Sequence, residues 1–116
     1  MTAMLPVSVR SLRANHPGMC VGYRLFSPDS VVVFFPDNEM LPSGEDQAMA
    51  EFVRDADVLM LDSQYDKAEY KSHVGWGHGC VDDSVALAIR AGVRQLYLFH
   101  HDPDHDDRRI DELVKH

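Results

Sequence analysis

Apolar positions along the chain fall into short runs bounded by turn residues and into stretches with a helical repeat. Cys20-Val21-Gly22-Tyr23-Arg24-Leu25-Phe26 and Ser30-Val31-Val32-Val33-Phe34-Phe35 are strand-like runs. Ser27-Pro28-Asp29 between them has turn chemistry, so the two should pair as a hairpin. The second run stops at Pro36-Asp37, and Pro42-Ser43-Gly44 marks a loop. From Glu45 to Asp55 a helix is predicted, with Met49, Phe52 and Val53 on one face. Val58-Leu59-Met60-Leu61 is a continuous apolar strand ending at Asp62. Residues 63–80 lack a clean period and carry Gly75, Gly77 and Gly79, which reads as loop with at most a turn of helix. Asp82 or Asp83 is expected to cap a helix through Ala91, with Gly92 as its stop. Leu96-Tyr97-Leu98-Phe99 then reads as a buried strand, and a final helix starts near Asp107. The predicted order is β-β-α-β-α-β-α, an α/β chain whose strands end on Asp37, Asp62 and His100.

The chemistry follows from those endings. In an α/β sheet, ligands gather at the carboxyl ends of the strands. The last strand runs straight into His100-His101-Asp102-Pro103-Asp104-His105-Asp106-Asp107, which supplies imidazole nitrogens and hard oxygens. On these residues alone, a metal site and a solvated loop leading to an Asp N-cap stand level. Composition narrows the partners. A chain of 116 residues that is 45% hydrophobic is one domain, 1–116, with enough apolar residues for a core. Its net charge of −8 disfavours spontaneous binding to phosphate backbones or anionic membranes, although a metal cluster reverses that sign locally. Cys20 and Cys80 lie far apart with no CxxC, so neither a zinc knuckle nor a disulfide framework is expected. Reduced thiols and a cytoplasmic location follow. There is no apolar stretch of membrane-spanning length and no signal-peptide pattern at Met1–Val9.

Four local patterns occur in a telling order: Asn15-His16-Pro17-Gly18-Met19-Cys20-Val21-Gly22-Tyr23-Arg24-Leu25; Val32-Val33-Phe34-Phe35-Pro36-Asp37-Asn38-Glu39; Asp62-Ser63-Gln64-Tyr65 followed by Gly75-Trp76-Gly77-His78-Gly79; and Leu98-Phe99-His100-His101-Asp102-Pro103. Together they resemble the second half of a metallo-β-lactamase-fold hydrolase, in the branch of ribonuclease Z and the phosphoribosyl cyclic phosphodiesterases. The resemblance implies half of an αββα sandwich. It implies that His16 and His100 are metal-ligating histidines, that Asp37 is the metal-bridging aspartate, and that His78 is the catalytic histidine near the leaving group. Gly79 stands where Ser or Thr is common in that pattern. In the full enzyme, two zinc ions polarise a phosphoryl oxygen and hold the nucleophile.

The His-x-His-x-Asp-His run of the family's first half does not occur in these residues. His16, Asp37 and His100 alone make a two-His-one-carboxylate set, able to hold zinc or manganese weakly or not at all. The expectation is therefore a metal-dependent, phosphodiesterase-like hydrolase whose site is completed by a partner chain carrying the missing half or by a second copy. The alternative is an inactive binding or structural module of the same fold. A homodimer is expected, burying an apolar sheet face lined by Val21, Tyr23, Val31, Val33 and Leu98 or by the alternate register. Asp62 is read as a turn cap, His101 and His105 as solvated, and Trp76 as a packing or interface residue.

Overall fold

The computed structural model describes residues 7–40 and 47–115. Two antiparallel turns open the chain. Strand β1 (Ser8–Arg13) pairs with β2 (Val21–Phe26), and β2 pairs with β3 (Val31–Phe35). The predicted hairpin closes where Ser27 N–H donates to the Ser30 carbonyl at 2.9 Å. β1 is a strand that the sequence reading left out. Its Ser8-Val9-Arg10-Ser11-Leu12-Arg13 carries two arginines and little apolar content, which suits an edge strand that must not pair with other chains.

Helix α1 (Gln47–Val53) then crosses to β4 (Val58–Asp62), which lies parallel to β3. The loop at Pro42-Ser43-Gly44 and the predicted helix start at Glu45 lie outside the described residues. The helix gives way before Asp55, whose φ of 55° is left-handed. After β4, a single turn α2 (Lys67–Tyr70) is fixed by a capping box, with Asp66 accepting from Glu69 N–H and Glu69 reaching back to Asp66 N–H. Helix α3 (Val81–Arg90) leads to β5 (Gln95–Phe99), parallel to β4. Its cap differs from the expectation. Cys80 occupies the N-cap position without a side-chain bond to the helix backbone, and Asp82 and Asp83 sit in the first turn, where their charge meets the helix dipole favourably. Gly92 stops α3 with φ of 70°. Helix α4 (Asp107–Val114) begins at an Asp106 N-cap, whose side chain accepts from Arg109 N–H at 2.8 Å.

The sheet order is β1-β2-β3-β4-β5, mixed in direction, so the observed sequence β-β-β-α-β-α-α-β-α adds one strand and one helical turn to the prediction. One face holds the core. Val33, Phe35, Leu59 and Leu61 are at most 1% exposed and pack with Met49, Val53, Leu87 and Ala88 of the helices. Full burial of each such large side chain contributes about 1.5–3 kcal/mol. The other face is open: Tyr23, Tyr97 and Phe99 are 41%, 48% and 41% exposed, with half-buried Leu25, Val32, Phe34 and Met60 beside them. Strand alternation therefore decides between the two expected linings. Val31, Val33 and Leu98 belong to the helix-covered face, and the open face takes the alternate register of β3 and β5.

Candidate metal site

The topology draws the chemistry to one edge. β3, β4 and β5 are parallel neighbours, so their carboxyl ends coincide and place Asp37, Asp62 and His100 together. β1 runs antiparallel to β2, and its end lies at that same edge, where the following loop carries His16. The loop between α2 and α3 supplies His78. One ligand atom each from Asp37, Asp62, His78 and His100 lies within 4.8 Å of the other three.

Asp62 is the centre of the arrangement. It has no exposed surface, and both its oxygens are engaged. Oδ2 accepts from His78 Nδ1–H at 2.7 Å and Asn38 N–H at 3.2 Å; Oδ1 accepts from Gly79 N–H at 3.2 Å and Gln64 N–H at 3.3 Å. Burial pushes the Asp62 carboxyl up from the ordinary aspartate range, against the His78 hydrogen bond and the backbone N–H groups, which favour the anion. The bond to Gln64 is the turn cap read from sequence. The bond to His78 is the role that reading missed, because the two residues are sixteen positions apart and only the fold joins them.

His100 takes a left-handed φ of 60°, uncommon for a residue with a Cβ. Its Nδ1–H donates to the Pro36 carbonyl at 2.7 Å and lies 3.1 Å from Asp37 Oδ1. That leaves Nε2 as the nitrogen with a free lone pair. The His78 and His100 rings stand 4.7 Å apart, and the His16 ring 5.4 Å from His78. His16 lies outside the group of four, its Nδ1 accepting from Gly18 N–H at 3.0 Å. His101 and His105 are not solvated as expected. His105 is 8% exposed at its side chain and bonds Glu69 at 2.9 Å, and burial lowers the pKa of His101. Trp76 is 59% exposed, edge-on to His73 at 4.6 Å.

The donor set fits a divalent ion. Imidazole nitrogens and carboxylate oxygens suit zinc or manganese, and a tetrahedral shell with bonds of about 2.0–2.2 Å would bring ligand atoms to roughly 3.4 Å of one another. The four groups spread up to 4.8 Å, and Asp62 and His78 are already bonded to one another, so Asp37 and His100 are the pair free to turn towards an ion.

A family model described as the beta-lactamase superfamily domain matches residues 2–101. The chain belongs to that family. Its ancestry is that of the metal-dependent hydrolases, and divalent metal use comes with the fold. Among sequence relatives of this beta-lactamase-family chain, the ribonuclease Z of Thermoplasma volcanium is 35% identical over 57 residues, 49% of this chain and 19% of the relative. The ribonuclease Z of Picrophilus torridus is 26% identical over 102 residues, 85% of this chain and 33% of the relative. The metallo-beta-lactamase fold protein YhfI from Bacillus subtilis shares the fold with a TM-score of 0.77 at 22% identity, covering 99% of this chain and 44% of that one. The chain thus spans a third or less of the length of these two ribonucleases. Its mixed sheet with helices matches a fragment of the metallo-beta-lactamase fold. Among the described residues, no helix is long and apolar enough to cross a membrane.

Proposed function

We propose that residues 1–116 form one truncated domain of a metal-dependent phosphodiester hydrolase, with a site that another chain or a second copy completes. The observation that carries this reading is the convergence of Asp37, Asp62, His78 and His100 at the ends of three parallel strands. Asp62 spends both oxygens on hydrogen bonds, so Asp37 and His100, each about a third exposed, are the groups left to hold an ion, with His16 as a third ligand once it leaves Gly18. A bound divalent ion, zinc or manganese, supplies Lewis acidity to a phosphoryl oxygen. The protein's own part is to hold and move a proton. Asp62 fixes the His78 tautomer through Nδ1–H, which leaves Nε2 to exchange a proton with a leaving oxygen. The ribonuclease Z relatives support a phosphodiester as substrate. Free Cys20 and Cys80 support a reducing, cytoplasmic setting.

Three candidate ligands do not make two closed metal sites, so binding is weak and lost to chelators. Metal analysis of the purified chain with and without added zinc or manganese should find at most one ion per chain, removed by dialysis against chelator. His100→Ala should abolish that uptake and His105→Ala should leave it intact. No uptake at saturating zinc overturns the metal reading, and two tightly held ions per chain overturn the incomplete site. The self-contained hydrogen bonding of Asp62 favours one second reading, an inactive module that keeps the geometry without the ion.

A further inference from the structure

Glu39 is a buried carboxylate that the proposed chemistry does not use. It is 5% exposed, and none of the ion pairs among the described residues involves it. Its Oε1 accepts from Gly75 N–H at 2.8 Å and Gly77 N–H at 3.1 Å, and Oε2 from Gly75 N–H at 3.1 Å. Its backbone is tied as firmly. Glu39 N–H donates to the Asn15 carbonyl at 3.0 Å, the Asn15 side-chain amide donates to the Glu39 carbonyl at 3.0 Å, and Asn15 N–H donates to Asn38 Oδ1 at 3.0 Å. Burial and a hydrogen bond to Glu39 push the Tyr70 hydroxyl up to about 12. A buried charge without a counter-ion is costly, and peptide N–H dipoles are what offset it here.

These bonds connect three parts of the candidate site. Asn15 precedes His16, Asp37 lies two residues before Glu39, and Gly77 precedes His78. We infer that Glu39 is a positioning residue: its carboxylate clamps the Gly75–Gly77 loop to the end of β3 and thereby holds His78 beside Asp62. The role of His78 in this inference rests on the proposed function; the clamp itself does not.

The test uses the full chain without metal, labelled with nitrogen-15. Wild type should show a protected His78 Nδ1–H resonance, from the bond to Asp62, and slow amide exchange at Gly75 and Gly77. Glu39→Ala should lose the His78 resonance and exchange both glycine amides at least tenfold faster, while the His105 imidazole, held by Glu69, is unmoved. Should Glu39→Ala fail to fold, Glu39→Gln decides: a neutral acceptor should keep the His78 resonance but speed glycine exchange several-fold. Unchanged glycine exchange in the folded variant overturns the inference, and so does an unchanged His78 resonance in Glu39→Ala. A zinc titration separates this inference from the proposed function. His78 is not one of the three candidate ligands, so Glu39→Ala and His78→Ala should both retain the zinc uptake of wild type. Wild type that takes up no zinc sinks the hydrolase reading, while the resonances still judge the clamp.

Discussion

A paired substitution isolates the packing of the His78 loop on His16. Gly75 and Gly77 both hold positive φ, 88° and 92°, so an alanine at either position incurs about 1–2 kcal/mol of backbone cost. The entropy that alanine removes from the unfolded chain is also common to both. What differs is the space. A Cβ at Gly75 meets nothing within 4 Å, whereas one at Gly77 would sit 2.4 Å from His16 Cδ2, 2.5 Å from Pro17 Cδ and 2.9 Å from His16 Cγ. Ordinary carbon contacts lie at about 3.5–4.0 Å, so the ring and the proline must retreat by roughly 1 Å. Overpacking of this kind costs about 1–3 kcal/mol. Gly77→Ala should therefore be less stable than Gly75→Ala by about 1–3 kcal/mol. With a urea m-value of about 1–2 kcal/mol/M for a small domain, their midpoints should differ by roughly 1 M. Equal midpoints would show that the loop does not rest on His16 in solution, and the geometry drawn above for that corner would be wrong.

Two further outcomes follow from the rest of the molecule. Partial burial pushes the Asp66 and Glu69 carboxyls up, but backbone N–H groups, Arg109 and, for Glu69, His105 outweigh it and hold both below their ordinary values. Their contribution is thus fully present above about pH 4.5, the ordinary Glu value, and is lost as pH falls through the lower folded values; Arg109→Ala should lower the urea midpoint at pH 7 and not at pH 2, and a loss equal at both would refute the assignment. The open face with Tyr23, Tyr97 and Phe99 should bury itself in a two-fold dimer of roughly 2,000 Å² or more, seen by light scattering at micromolar concentration; a soluble monomer would refute it, and Tyr97→Glu should shift the dimer towards monomer.

The elements that sequence revealed are those with a local signature. β3, β4 and β5 are apolar runs with turn residues at their ends, and their parallel order puts Asp37, Asp62 and His100 on one edge. β1 escaped notice because an exposed edge strand needs no apolar run. The sequence leaves two registers open for the exposed face because Val31-Val32-Val33-Phe34-Phe35 is apolar throughout, and a continuous run does not say which alternate residues face the helices. Asp62–His78 and Glu39–Gly77 were invisible for another reason: each joins residues far apart in the chain through a single hydrogen-bond geometry. Gly79 shows the reverse case. It stands where Ser or Thr is common in the resembled pattern, and it marks a close approach, since a Cβ there would lie 2.4 Å from the Asp62 carbonyl oxygen. A serine at that position has no room unless the strand end moves.

The same edge gathers three carboxylates, Asp37, Glu39 and Asp62, on a chain of net charge −8. Two of them are buried and neutralise themselves on peptide N–H groups, so their negative potential is directed inward and reduced. Asp37 is the one with accessible surface, and among the described residues its ion pair is with His100. A phosphodiester anion approaching that corner meets like charge, worth about 1 kcal/mol at 4 Å in water and about 4 kcal/mol near a protein surface. A divalent cation meets the opposite sign. On the proposed reading, Asp37 and His100 would hold a divalent ion whose charge would make the corner attractive to a phosphate. The buried carboxylates Glu39 and Asp62 hold the histidine loop in place and would not compete for an ion, because their oxygens are already spent.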